Sequence, residues 1–267
     1  MDLGLADATV AVTGGSKGMG RAVAECFAAD GARVAVLARG QAALDDTVAA
    51  LQKLGSPEVL ALPTDVASRP DVEQAFASLG ERWGSLNVLV NTVGPGAGKF
   101  EDLTDEDWEA AFRVGTMAAV YCVRAALPLL RSAEWARIVN VSAHSIQRQS
   151  PNIVAYTASK AALTSISKNL AKSLAPEGIL VNTVSPGTIV TASFTEQLAP
   201  LLRKEGLDAS DPYDVMHWIE HNYHHPADLG RAGLPDEVGS VVTFLASRRN
   251  GYTTGANVNV DGGSDFV

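Results

Sequence analysis

Two short stretches of this 267-residue chain hold the residue types that could do chemistry together. One is Tyr156-Thr157-Ala158-Ser159-Lys160, in which Tyr156 and Lys160 stand at i and i+4 and would share one face of a helix. A free phenol titrates near ~10, and a neighbouring ammonium favours the phenolate, which brings the group towards useful acid/base strength at neutral pH. Such a pair also recurs by chance in many helices, so it needs company. The second stretch supplies it: Thr13-Gly14-Gly15-Ser16-Lys17-Gly18-Met19-Gly20 leaves an apolar run and enters a helical one. Glycines there let the backbone turn tightly against a pyrophosphate, whose charge is favoured by the free N–H groups of the helix start. A P-loop is excluded, because Arg21 and Ala22 follow Gly20 where that site requires Lys and then Ser or Thr.

The second strand ends at Ala38-Arg39. Dinucleotide folds that take an unphosphorylated ribose put a carboxylate near this point, about twenty residues past the glycines, and it would repel a 2′-phosphate. Its absence, with the Arg39 guanidinium and Lys17 as a second cation, predicts NADP(H) as the cofactor.

The elements that must position these groups are legible in the hydrophobic pattern. Apolar runs at 9–13, 33–37, 59–62, 86–90, 137–141, 180–184 and 257–260 read as strands, most of them continuously apolar, as strands covered on both faces should be. Amphipathic stretches at 19–30, 41–54, 71–83, 105–130, 156–174 and 235–246 read as helices. The alternation predicts an α/β fold: a doubly wound parallel sheet, Rossmann-like, of about seven strands with helices on both faces. The whole of 1–267 is expected to be a single domain. The segment 191–231 breaks the rhythm. It shows no strand signal, holds four of the five histidines and three of the twelve prolines, and reads as a mobile substrate lid.

With 30 acidic against 21 basic residues, the net charge of −9 opposes a phosphate backbone, so no nucleic-acid partner is expected. No segment approaches the ~18 uninterrupted apolar residues of a membrane span, and neither a leader nor a membrane partner is expected. The protein is read as cytoplasmic. Cys26 and Cys122 are too few for a disulfide framework and read as small apolar residues. His217 and His221, with His224 and His225 beyond, could in principle chelate a metal, but no Glu lies between the pair as in H-E-x-x-H, and no metal is expected. Trp135, Trp218 and Tyr223 are expected to pack rather than line a pocket.

Taken in order, the motifs resemble those of the short-chain dehydrogenase/reductase family over nearly the whole chain. Thr13 to Gly20 is similar to T-G-x-x-x-G-x-G, Asp65-Val66 to an adenine-contacting Asp, and Asn91-Thr92-Val93-Gly94 is a loose N-N-A-G. Tyr156 to Lys160 matches Y-x-x-x-K, Asn182 to Gly187 followed by Thr188 matches N-x-V-x-P-G-x, and Val260-Asp261-Gly262-Gly263 matches the usual last-strand ending. The resemblance implies a cofactor-binding set. It comprises Gly14, Ser16, Lys17, Gly18, Met19 and Gly20 in the turn, then Arg39, Asp65, Val66, Asn91 and Gly94. Tyr156 and Lys160 belong to it, with Pro186, Gly187, Thr188, Ile189 and Thr191 on the nicotinamide side. It also implies a carbonyl/alcohol small-molecule substrate and a homotetramer, to which Met117, Val120, Tyr121 and Val123 on the 105–130 helix would contribute surplus apolar surface. Tyr156 would protonate the carbonyl oxygen as hydride arrives, Lys160 would bind the ribose and lower the phenol pKa, and a serine would orient the oxygen.

Two departures stand out. Counting from Asn140, the family serine falls on Ala143, whereas matching the Ser142-Ala143-His144 string puts it on Ser142; Ser142 is taken as catalytic, with Ser145 second. Spacing from Trp108 puts the family's relay Asn on Gly115, so the relay would be rebuilt, with Thr116 as one candidate, or run slower. A cofactor-binding sensor or scaffold with little turnover is the alternative function.

Overall fold

The computed structural model describes residues 2–264. Its strands are β1 (Thr9–Thr13), β2 (Arg33–Ala38), β3 (Val59–Pro63), β4 (Val88–Asn91), β5 (Ala136–Val141), β6 (Ile179–Pro186) and β7 (Asn257–Val260). They form one seven-stranded sheet in the order β3-β2-β1-β4-β5-β6-β7, every pairing parallel. The central strands β1, β4 and β5 are buried at every residue, which is why Val, Ile, Leu and Ala dominate them. Successive residues feed opposite layers. Val10 and Val12 pack with Val23 and Phe27 of α1 (Gly18–Ala29), Leu44 and Leu51 of α2 (Gln41–Leu54), and Val238 and Val242 of α9 (Pro235–Ala246). Ala11 joins Val72 and Phe76 of α3 (Arg69–Trp83), Cys122 and Ala126 of α5 (Ala118–Arg131), and Ala171 and Leu174 of α6 (Val154–Leu174). Cys122 is thus a core residue, and burial pushes its thiol up to about 12.

β1 pairs with β2 on one side and β4 on the other, so the chain winds outward in both directions from this point. Connections leaving the carboxyl ends of β1 and β4 diverge there and open a crevice, the usual ligand site of doubly wound sheets.

The expected 105–130 helix is present as one run to Arg131, with a change of pitch inside it: α4 (Asp105–Phe112), opened by a Thr104/Asp107 capping box, passes into a π turn at Arg113–Met117 that continues into α5. The combined run 105–131 is long and apolar enough to cross a membrane by composition, with a mean hydropathy of 1.3 over 18 residues. Here Ala118, Cys122, Ala126 and Leu130 spend that apolar face in the core. Val123 joins them at 3% exposure, so it adds no surplus apolar surface, while Met117, Val120 and Tyr121 stay half-buried.

The segment 191–231 contains no strand but two helices that the sequence pattern left unassigned, α7 (Ala192–Leu202) and α8 (Pro212–Tyr223). Leu198, Leu202, Val215, Met216, Trp218 and Ile219 close a third hydrophobic core, separate from the two beside the sheet. Trp218 also donates to Glu205 Oε1 at 3.1 Å and meets Tyr223 edge-on, while Trp135 packs against the first core and under the Arg137 guanidinium. All three aromatics therefore pack. His217 and His221 face solvent on α8, and among the described residues no three His, Cys, Asp or Glu side chains converge to hold a metal ion.

Candidate active site

A cavity of about 630 Å³ occupies the crevice, lined by Gly14, Ser16, Lys17, Ala38, Arg39, Asp65, Val66 and Gly94 among others. Its floor exists because side chains are missing. Gly14 has φ +67° and a Cβ there would lie 2.9 Å from Thr92 Oγ1, while a Cβ on Gly20 would collide with the Gly14 carbonyl oxygen. Helix α1 then starts with no acidic residue in its first turn and no side-chain cap, leaving its first N–H groups to an anion. Arg39 and Lys17 are exposed at the rim, and the ion pairs among the described residues include neither. Asp65 is half-buried at the wall, its Oδ1 accepting from Ala67 N at 3.0 Å, and Val66 is buried beside it. This cradle fits a dinucleotide.

The crevice leads to the reactive pair. Gly94 lines the cavity, and a Cβ built on it would touch Tyr156 Cε2 and Lys160 Cε, both at 3.4 Å. Both side chains come from the first two turns of α6, whose start is anchored by Val154 N donating to Gly98 O at 3.2 Å. Lys160 is fully buried and donates from Nζ to Val93 O at 2.9 Å, two residues past β4, and to Val141 O at 2.7 Å, the last carbonyl of β5. Burial lowers its pKa to about 8. Burial also drives the Tyr156 phenol up to about 12. The expected lowering by the lysine is therefore not what the protein alone shows: the ammonium is engaged with two carbonyls, and desolvation of the phenol dominates.

The residues that the family resemblance assigns to the nicotinamide side close the other end. A Cβ on Gly187 would lie 2.7 Å from Asp261 Cα, so Pro186-Gly187 passes tightly over the last strand's end. Thr188 and Ile189 line a neighbouring cavity of about 510 Å³, Ile189 being buried. Thr191 caps α7 by accepting from Phe194 N at 3.3 Å, and its Cγ2 would stand 3.5 Å from a Cβ on Gly18. The structure thus brings the loop after β6 against the glycine turn. Met19 turns instead to the core layer of α1.

Other candidates lie elsewhere. Asn91 is buried between strands, donating from Nδ2 to Asn140 Oδ1 at 2.8 Å, away from the crevice lining. The Ser142 hydroxyl is spent on α6, donating to Lys160 O at 3.2 Å and sharing a 2.8 Å hydrogen bond with Thr164. Ser145, also buried, accepts from Thr157 Oγ1 at 3.0 Å. Ala143 offers no hydroxyl. Thr116 donates to Ser159 O at 2.7 Å and so ties the π turn to α6. Thr92, not among the expected site residues, donates to Thr13 O at 2.5 Å and fixes the glycine turn; its only signal is that it replaces the second Asn of N-N-A-G.

Residues 14–265 match the family model described as enoyl-(acyl carrier protein) reductase. An uncharacterized oxidoreductase of Methylorubrum extorquens is 34% identical, over 94% of this chain and 95% of its own. The chain belongs to the short-chain dehydrogenase/reductase family. Within that family it is 32% identical to the rhamnolipids biosynthesis 3-oxoacyl-[acyl-carrier-protein] reductase of Pseudomonas aeruginosa, over 97% and 96% of the two chains. L-sorbose reductase from Gluconobacter frateurii, solved with NADPH and L-sorbose, superposes with TM-score 0.92 at 29% identity and complete coverage of both chains. As a short-chain dehydrogenase/reductase the protein is an oxidoreductase, and the Rossmann-like sheet is the family's.

Proposed function

We propose that this protein is an NADP(H)-dependent reductase that converts a ketone or aldehyde to an alcohol, with Tyr156 as proton donor. The observation that carries this reading is the convergence of the Tyr156 ring and Lys160 on Gly94, at the inner end of a crevice whose outer rim presents Arg39 and Lys17. The glycine turn and the start of α1 would hold the pyrophosphate, and Arg39 with Lys17 the 2′-phosphate. Lys160 would hold the ribose, and Thr188 and Thr191 would position the carboxamide side. Bound there, the nicotinamide supplies the hydride that adds to the carbonyl carbon. Tyr156 gives its hydroxyl proton to the carbonyl oxygen, so the C=O π pair ends as an O–H bond. A phenol held near 12 by burial is protonated at neutral pH. It therefore enters the reduction with its proton in place. Lys160, titrating near 8, can return a proton to the phenolate within the ordinary pH range. Ser142 remains the proposed orienting hydroxyl, for which its bond to Thr164 would have to rotate.

The names of two relatives support a carbonyl substrate: one reduces 3-oxoacyl groups, and another was solved with a ketose and NADPH. The test is NADPH consumption against 3-oxoacyl thioesters, ketoses, steroids and quinones, with NADH alongside. The half-buried Met117, Val120 and Tyr121 support a homotetramer, which light scattering at micromolar concentration would check. A second reading, a cofactor-binding scaffold with little turnover, draws on Gly115 and on the engaged Ser142 hydroxyl. NADPH binding without turnover across that panel would select it.

A further inference from the structure

We propose that Arg148 is a positioning residue that couples the seating of the 191–231 excursion to the loop carrying the catalytic groups. Arg148 lies on the β5–α6 connection, between Ser145 and Tyr156, and its own N–H donates to His144 O at 3.1 Å. Its half-buried guanidinium donates from Nη2 to His224 O at 3.0 Å, and from Nη1 to Ser264 O at 2.6 Å and, more weakly, to Pro226 O at 3.4 Å. Three acceptors from two distant segments therefore meet one side chain: the exit of α8 and the turn after β7. Only a planar fork of donors does this; an ammonium is a point charge on a flexible stem.

The acceptors are unusual ones. His224 caps α8 in the left-handed region, φ 54° and ψ 38°, one of two non-glycine residues with positive φ among those described. Such a backbone needs an external hold. Its carbonyl stands at the negative end of the α8 dipole, where a cation is favoured. No carboxylate pairs with Arg148 among the described residues, so the charge is committed to these carbonyls. His225 beside it is held below the usual histidine range, first by burial and then by the charges of Arg148, His144 and His224. The exit of the excursion is also held by Leu229 N to Gly262 O at 3.0 Å, Ala227 N to Met216 Sδ at 3.2 Å, Ala232 N to Pro212 O at 2.9 Å and the Arg231–Glu237 ion pair, but none of these reaches the β5–α6 connection. A shift of α8 thus passes through the guanidinium to the loop that leads into Tyr156.

The experiment is amide hydrogen exchange on Arg148→Met, Arg148→Lys and wild type, paired with kinetics. The kinetic arm rests on the proposed reductase activity; the exchange arm does not. In Arg148→Met, exchange should rise at least tenfold both at Ala227 and Leu229 and at the loop amides of Gln147 and Arg148's neighbours, with β1 and β4 unchanged. With ethyl acetoacetate or L-sorbose, whichever wild type reduces faster, KM should rise at least tenfold while kcat falls less and the NADPH Kd stays within twofold. Unchanged exchange in either segment, or faster exchange in both with KM unmoved, would overturn the coupling. Should Arg148→Met lose protection throughout the sheet, Arg148→Lys, which keeps the charge but cannot span three carbonyls, decides by the same readings. If wild type reduces neither probe, the reductase reading is decided by the wider panel, and the exchange at both segments still decides the coupling.

Discussion

Gly115 and Ser159 occupy the same space: a Cβ on Gly115 would lie 2.8 Å from Ser159 Cβ and closer still to its hydroxyl, with Pro95 Cδ at 3.1 Å. Both residues are buried, Gly115 in the π turn and Ser159 on α6 with its hydroxyl donating to Tyr156 O at 2.8 Å. Restoring the family's asparagine by Gly115→Asn is therefore expected to overpack the α4–α6 contact and destabilise the protein by about 1–3 kcal/mol, without faster turnover. Thermal unfolding checks this. Adding Ser159→Gly should recover much of the loss; turnover that rises in Gly115→Asn alone would contradict the geometry.

Tyr156→Phe keeps the ring against Gly94 and deletes the hydroxyl. The rate should fall by ~10² to 10⁴, the usual worth of a general acid, with NADPH affinity nearly unchanged. Lys160→Ala should damage both rate and cofactor binding. A Tyr156→Phe protein with most of its activity on a verified substrate would sink the proposed mechanism and leave the fold untouched.

Arg39→Ala should weaken NADPH tenfold or more and leave NADH nearly unaffected, because a charge-assisted contact to phosphate contributes about 1.5–3 kcal/mol. Lys17→Ala should have a smaller effect of the same kind. Titration calorimetry with both cofactors gives the comparison, and equal losses for the two would reject the 2′-phosphate assignment.

The buried Lys160 predicts a pH dependence of stability. Its pKa falls from 10.5 to about 8 on folding, so the unfolded chain binds the proton more tightly. The folded state is penalised by the full difference, on the order of 3 kcal/mol, below about pH 8, and the penalty fades as pH rises from 8 to 10.5. Urea unfolding of wild type and Lys160→Met at pH 7 and 9.5 should show wild type gaining relative to the variant at the higher pH. A constant difference would mean that Lys160 titrates normally.

What the sequence made legible follows from which signals are local. The strands announce themselves because both faces are covered, and Tyr156, Lys160 and the glycine turn sit at element starts where residue type decides conformation. Of the two helices in 191–231, α8 had a readable start in Asp211-Pro212, with Val215, Met216, Trp218 and Ile219 at helical spacing, and was hidden by the histidines and prolines around it. The π turn at Arg113–Met117 has no local signal, since one extra residue in a helix leaves the apolar pattern almost intact. The place of the Ser142 hydroxyl was equally unreadable. Asn140 and Ser142 point to the same layer, where they meet Ser167 and Thr164 on α6, and in a strand covered on both sides nothing distinguishes the two faces.

The strand order carries a consequence for biosynthesis. Pairing of Thr13 with Asn91 joins positions far apart in the chain, whereas β1, β2 and β3 can pair as soon as Pro63 has emerged from the ribosome. The nascent chain can therefore build a three-stranded half-sheet early, with the inner edge of β1 uncovered until β4 arrives. The glycine turn, Lys17 and Arg39 belong to this early half, whereas Val93 and Gly94 join the crevice only with β4; until then the bare β1 edge is the point where a delayed chain is most open to wrong partners.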